Sequence, residues 1–216
     1  MRYTCLIFDH DDTVVNSTAT IHHPAFLAYL EKYFPGKSCT LEEYFEKNFE
    51  PGFLEYCRND FGMTEQDFDI ELVFWQSFVK GRIPQAYPGI REIMERQKAE
   101  GGRIAVISHS LKENILRDYA ANTLPEPDLV FGWEQPPERR KPNAWPVEQV
   151  LREFGLEKSD VLMIDDLKPG YDMACAAGID FAAAGWANDI RSIERFMRAN
   201  CSNYFKTVEE LAAFVI

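Results

Sequence analysis

Four apolar residues, Cys5-Leu6-Ile7-Phe8, run directly into Asp9-His10-Asp11-Asp12-Thr13, and this junction constrains the fold more than any other stretch of the chain. The run is short, unbroken and bounded by polar residues, which predicts a strand buried on both faces in a parallel sheet. In such sheets ligands bind in the loops beyond the carboxyl ends of the strands. Carboxylates at that edge need a cation or a reaction to justify them, because a charge beside an apolar core is costly unless paired. A second reading stays open within this segment: Asp11 and Asp12 cap a following helix. The other segments have to decide.

Further apolar runs predict buried strands at Tyr3 to Phe8, Arg103 to Ser108, Val161 to Ile164, Phe181 to Ala184 and Tyr204 to Phe205. Helical patterns separate most of them: Ile90 to Glu100 ends at Gly101-Gly102, and Trp145 to Phe154 ends at Gly155. Such alternation predicts an α/β core with a doubly wound, Rossmann-like parallel sheet. From about Thr18 to Ala86 the pattern changes, with aromatic and acidic residues at helical spacing. Leu41 to Phe49, Gly52 to Phe61 and Asp67 to Val79 read as successive amphipathic helices broken at Pro51-Gly52 and Gly62. The expected organisation is a core of residues 1–17 and 87–216 with an all-helical insertion at 18–86, entering beside Asp9 and Asp11.

Composition narrows the function classes. A chain of 216 residues with 46% hydrophobic content can bury a full core. A formal net charge of -12, with no Lys/Arg block, opposes a nucleic acid or an anionic membrane as partner. The five cysteines, Cys5, Cys39, Cys57, Cys175 and Cys201, form neither a metal-binding pair nor a disulfide framework, which fits a reducing compartment. Met1 leads straight into the first strand without a signal sequence, and no apolar stretch approaches membrane-spanning length, so a cytoplasmic location is expected.

Each remaining strand end supplies a different chemical type. Ile104 to Ile107 leads into Ser108-His109-Ser110, a hydroxyl followed by backbone amides, suited to phosphate oxygens but also to routine helix capping. Val161 to Ile164 leads into Asp165-Asp166, a second acidic pair at the corresponding place. Between them lies Lys141-Pro142, where the proline restricts the backbone of a lysine that could serve the acidic cluster. Read singly, that lysine is also an ordinary surface residue of the charged stretch Glu138 to Lys141.

Taken in order, these parts resemble the haloacid dehalogenase-like hydrolase superfamily over essentially the whole chain. Asp9-His10-Asp11-Asp12-Thr13 matches the first motif, Ser108 the second, Lys141-Pro142 the third and Asp165-Asp166 the fourth, with Gly170 and a helix from Tyr171 to Ala177 following. The last arrangement, and Tyr87-Pro88-Gly89-Ile90, are similar to the phosphoglycolate phosphatase and β-phosphoglucomutase branch, which carries a helical cap.

The resemblance implies a Mg2+-dependent phosphatase acting on a small phosphorylated metabolite. Asp9 is then the nucleophile that forms an aspartyl phosphate, and Asp11 the proton carrier, with His10 turned the other way if strand geometry persists. Mg2+ would be held by Asp9, the carbonyl of Asp11 and Asp166, with Asp165 adjacent or acting through water. Ser108 and the amide of His109 would bind the transferring oxygens, Lys141 would balance charge, and Thr13 would orient the first loop at the substrate. Asp12 stands where the commonest motif has glycine, and is assigned to helix capping. From the insertion, His22 and Arg58 are the substrate-contact candidates, with His23, Lys47 and Lys80 behind them.

Rival readings differ in chemistry. A sugar-phosphate mutase would use the same Asp9 and Asp11, and a binding or regulatory protein could keep the fold without catalysis. A true dehalogenase and a phosphonate-cleaving enzyme are disfavoured, since those branches depart at the position of Asp11. A calcium loop over Asp9 to Thr20 fails at Val14, where glycine is needed, and at Thr20, where a bidentate Glu belongs.

Overall fold

The computed structural model describes residues 1–216, which divide into two compact units, Met1–Asn16 with Gln85–Ile216, and Ser17–Pro84. In the first unit β1 (Cys5–Phe8) is followed by two short segments, β2 (Val15–Asn16) and β3 (Gln85–Ala86), that pair antiparallel where the chain leaves and re-enters the unit. The remaining strands are β4 (Arg103–Ile107), β5 (Leu129–Phe131), β6 (Val161–Asp165), β7 (Asp180–Ala184) and β8 (Asn203–Phe205). They form a six-stranded, wholly parallel sheet with β1 in order β5-β4-β1-β6-β7-β8.

The helices of the Ser17–Pro84 unit are α1 (His23–Tyr33), α2 (Leu41–Phe49), α3 (Phe53–Tyr56) and α4 (Glu65–Val79). Those of the sheet unit are α5 (Ile90–Ala99), α6 (Lys112–Ala121), α7 (Trp145–Phe154), α8 (Lys168–Ala177), α9 (Arg191–Asn200) and α10 (Val208–Val215). Because side chains alternate across a strand, one sheet face carries Leu6, Phe8, Ile104, Val106, Leu162 and Ile164. That face packs against Ile90, Ile93 and Met94 of α5, Ile115 and Tyr119 of α6, and Leu211 and Val215 of α10. The opposite face is met by α8 beneath β6 and β7. Burial on both faces explains why these strands read as continuous apolar runs rather than alternating ones.

The chain winds outward from β1 in both directions, through β4 to β5 and through β6 to β8. The switch point of the sheet therefore lies between β1 and β6, where a doubly wound fold opens its binding crevice. Asp9 and Asp165-Asp166 stand at the carboxyl ends of those two strands.

The Ser17–Pro84 unit has its own core, in which Phe26, Tyr29, Leu30, Tyr44, Tyr56 and Met63 are buried together. Its aromatic residues pack on one another, Phe26 meeting Phe53 and Phe61 edge-on at 5.4 and 5.5 Å. Capping boxes start α2 at Thr40 with Glu43, and α4 at Thr64 with Asp67.

Several local expectations are corrected. β5 was not read as a strand, because three half-buried residues give too short an apolar signal. Asp12 caps no helix: it adopts the left-handed conformation at φ 59° and its amide donates to the Val15 carbonyl at 2.7 Å, inside a turn. The next helical turn begins only at Thr18. All five cysteines are free thiols, and no helix is long and apolar enough to cross a membrane.

Leu6, fully buried in the central strand, sits among residues that cannot collapse into a void. Leu6→Ala is expected to cost about 2–5 kcal/mol, read as a lower urea midpoint at unchanged slope. A midpoint equal to that of the wild type would show that this face of the sheet is not tightly packed.

Candidate active site

The site is built from three strand ends and one connecting segment of the same unit. Lys141, from the segment between β5 and α7, extends its ammonium to Asp9 Oδ1 and to Asp165 Oδ2, each at 2.7 Å. All three side chains are almost wholly removed from solvent. Asp165 is fixed from its other oxygen too, since Oδ1 accepts the Leu167 amide at 2.8 Å. Gly170 of α8 makes room for it: a Cβ there would fall 2.1 Å from Asp165 Oδ2. This glycine is needed for the close approach of helix and carboxylate rather than for its backbone freedom.

Asp166 is placed differently. Its Oδ1 lies 3.4 Å from the Thr13 hydroxyl, which donates to it, while its buried Oδ2 has no protein partner. Thr13 is held in turn from its carbonyl, which accepts the Trp186 indole N–H at 3.1 Å. Carboxylate oxygens of Asp9, Asp165 and Asp166 come within 4.8 Å of one another. Three buried carboxylates thus cluster around one ammonium that bonds only two of them, and the charge does not balance.

The titration behaviour follows from that imbalance. Burial alone would lower the Lys141 ammonium, but the carboxylates of Asp165 and Asp9 outweigh it and hold the lysine above its ordinary value. Burial pushes Asp9 up to about 7; Lys141 opposes the shift, and Asp165 and Asp11 add to it. Burial, then the charges of Asp165, Asp12 and Asp9, raise Asp166 well above the carboxylate range. An orphaned buried oxygen, a set of hard oxygen donors and unbalanced negative charge together fit a small divalent cation such as Mg2+. Asp166, with one oxygen uncommitted, and Asp9 are the side chains placed to hold it. Asp165 is already occupied by Lys141 and the Leu167 amide.

Asp11 points to a partner that sequence reasoning overlooked: Ser110 Oγ donates to Asp11 Oδ2 at 2.5 Å. Ser110 is buried, two residues beyond Ser108, whose hydroxyl accepts the Ser110 amide at 3.2 Å. A second serine two positions after the first was a visible signal, but the helix-start reading gave a role only to Ser108 and the amides that follow it. His109 sends its ring to Lys141, Nε2–H donating to the Lys141 carbonyl at 3.1 Å, and packs edge-on to Trp133. His10 instead engages Asp118 of α6.

The candidates from the helical segment lie in the other unit and are committed locally. His22 Nδ1 accepts the Trp75 indole N–H at 3.0 Å, His23 bonds the Cys39 carbonyl at 3.1 Å, and Arg58 pairs with Glu65 at 2.8 Å on an exposed surface. Lys47 pairs with Asp60.

Comparison with known proteins is consistent with this construction. The sequence profile described as haloacid dehalogenase-like hydrolase matches residues 6–184. The chain belongs to that family. A curated relative, the pyrophosphatase PpaX of Halalkalibacterium halodurans, is 23% identical over 193 residues, covering 87% of this chain and 86% of its own. Among solved structures, a putative phosphoglycolate phosphatase from Lactobacillus plantarum superposes with a TM-score of 0.79 at 19% identity, covering 99% of both chains. CbbY from Rhodobacter sphaeroides, in complex with xylulose-(1,5)bisphosphate, superposes with a TM-score of 0.72 at 16% identity, covering 97% of this chain and 96% of that one. At these identities the solved structures establish the fold.

The raised Asp9 has a consequence for stability. Its value near 7 in the folded protein exceeds the ordinary 3.8, so the folded state binds a proton more tightly than the unfolded chain does. The stability it contributes is present below about pH 4 and is lost as pH rises towards about 7. In the presence of a chelator, the thermal midpoint of the wild type is expected to fall across that window relative to Asp9→Asn, which has no such proton. Added Mg2+ is expected to raise the midpoint more at about pH 8 than at about pH 5, since the cation competes with the proton. Parallel pH profiles for the two proteins would show that Asp9 is not raised.

Proposed function

We propose that this hydrolase is a Mg2+-dependent phosphatase of a small phosphorylated metabolite, working through an aspartyl phosphate on Asp9. The observation that carries the reading is the Asp9–Lys141–Asp165 triad at the switch point of the sheet, beside the orphaned oxygen of Asp166. The named phosphatases and the bisphosphate complex among its relatives support the substrate class.

In this scheme the phosphoryl group lies against the Ser108 hydroxyl and the amide that follows it, with Lys141 next to the attacking carboxylate. Lys141 fixes Asp9 through Oδ1 and so presents the other oxygen for in-line attack. Asp9 displaces the leaving oxygen at phosphorus, and Asp11 gives that oxygen a proton. Asp11 then takes a proton from the water that cleaves the aspartyl phosphate, restoring Asp9 and releasing inorganic phosphate. Ser110, donating to Asp11, holds this proton carrier in a defined place between the two steps. Asp9, the Asp11 carbonyl and Asp166 would hold a Mg2+ ion, which would supply the positive charge needed for the carboxylate and the phosphate dianion to approach each other. The Ser17–Pro84 unit, with His22 and Arg58, is the segment to vary when substrate choice is sought.

A panel of phosphorylated metabolites is expected to yield inorganic phosphate from the wild type only with Mg2+ present. Asp9→Asn is expected to lose at least about a thousandfold in kcat, the scale on which a removed nucleophile acts. Equal release by the two proteins would remove Asp9 from the mechanism. Isomerised sugar phosphate with little free phosphate would instead identify a mutase.

A further inference from the structure

His10 stands between the proposed nucleophile and the proton carrier, and its side chain is only 1% exposed. Its Nε2–H donates to Asp118 Oδ2 at 3.2 Å, and its ring stacks on Tyr119 with centroids 5.9 Å apart. The other ring nitrogen, Nδ1, has no partner, so Asp118 is the one polar tie of the ring. Asp118, 3% exposed, lies in α6, the helix that follows Ser108 and Ser110. Its Oδ1 accepts from Arg117 Nε at 2.8 Å.

The contacts run on from Asp118 and return to the same loop. The Asp118 carbonyl accepts the Asn122 side-chain amide at 2.8 Å, and Asn122 Oδ1 accepts the Ala86 amide at 2.9 Å. Ala86 of β3 pairs with Val15 of β2, and the Val15 amide donates to the His10 carbonyl at 3.1 Å. His10 is therefore gripped by its side chain and by its backbone through one closed circuit. That circuit includes the two short strands through which the chain leaves the sheet unit and comes back.

A buried carboxylate is a poor way to add stability, since apolar residues of similar size would serve as well or better; its best-attested use is to fix one geometry. We propose that Asp118 is a positioning residue that acts through His10, holding the loop of Asp9 and Asp11 at the geometry required for attack. The proposal rests on the phosphatase reading above. Misplacing a reacting group by an ångström costs about a hundredfold in rate, so a pin on this loop would act on kcat.

The test separates positioning from folding by comparing Asp118→Leu, Asp118→Asn and the double variant His10→Leu/Asp118→Leu with the wild type. Each is assayed with an aryl phosphate and Mg2+ for kcat and KM, melted to obtain Tm, and titrated with beryllium fluoride and Mg2+, which mimic the aspartyl phosphate. The double variant removes the buried His10–Asp118 pair as a whole and leaves Arg117 part-exposed and still bonded to Asn114, so it is expected to melt near the wild type, yet to show kcat about 10- to 100-fold lower with KM within about twofold. Its affinity for beryllium fluoride is expected to fall about tenfold, and Asp118→Asn, which keeps an acceptor for His10, is expected to recover most of the rate. Wild-type kcat and beryllium fluoride affinity in the double variant would overturn the proposal, as would a kcat that simply follows Tm across the set. A wild type that neither turns over an aryl phosphate nor binds beryllium fluoride would overturn the phosphatase reading, and this proposal with it.

Discussion

One ammonium group holds two strand ends of this molecule together. Lys141 reaches Asp9 at the end of β1 and Asp165 at the end of β6, the neighbouring strands between which the sheet changes its winding direction. Without that cation, carboxylates brought together by two adjacent strands would repel one another in a site nearly closed to water. The cost of an unpaired buried charge is several kcal/mol, so the lysine is a condition for this sheet order to carry these residues at all. Other local features serve the same pairing. Gly170 clears the space that the Asp165 side chain occupies, and the Leu167 amide takes its second oxygen.

The same arrangement divides labour among acidic residues that look alike on paper. Asp165 is saturated by Lys141 and a backbone amide, whereas Asp166 keeps a buried oxygen with no protein partner. Asp9 keeps one oxygen on the lysine, and Asp11 is taken by Ser110 rather than by the lysine. A site with three carboxylates and one ammonium retains protons or binds a cation, and the rise of Asp9 towards 7 expresses that shortage of positive charge. Gathering this much negative charge in a dry place therefore works against stability, a familiar tension at functional sites.

The helices show how unevenly sequence signals carry. Leu41–Phe49 and Trp145–Phe154 fall where their periodicity and stop signals put them, because each has a clear apolar stripe and a strong terminus. β5 was invisible, since Leu129–Phe131 is short and only half-buried. Asp12 misled because an aspartate after a strand is a common helix cap, and nothing local announces that the chain makes a left-handed turn there and pairs with a strand some seventy residues later. Ser110 was overlooked for a related reason: a hydroxyl at the start of a helix has a routine local use, and only the fold brings Asp11 within its reach.

By itself, the sequence determined the alternation of buried strands and helices, the helical insertion after the first strand, and the set of chemical types at three strand ends and at Lys141. These are local properties, set by burial, periodicity and the order of motifs along the chain. Tertiary structure decided which of those groups meet. It gave Lys141 to Asp9 and Asp165, left Asp166 with an open oxygen, gave Asp11 to Ser110, and sent His10 to Asp118. Such choices depend on strand order and on contacts across more than a hundred residues of chain, such as the 132 that separate Lys141 from Asp9. No local pattern encodes a partner that far away, because its selection is made by the sheet as a whole when the core closes.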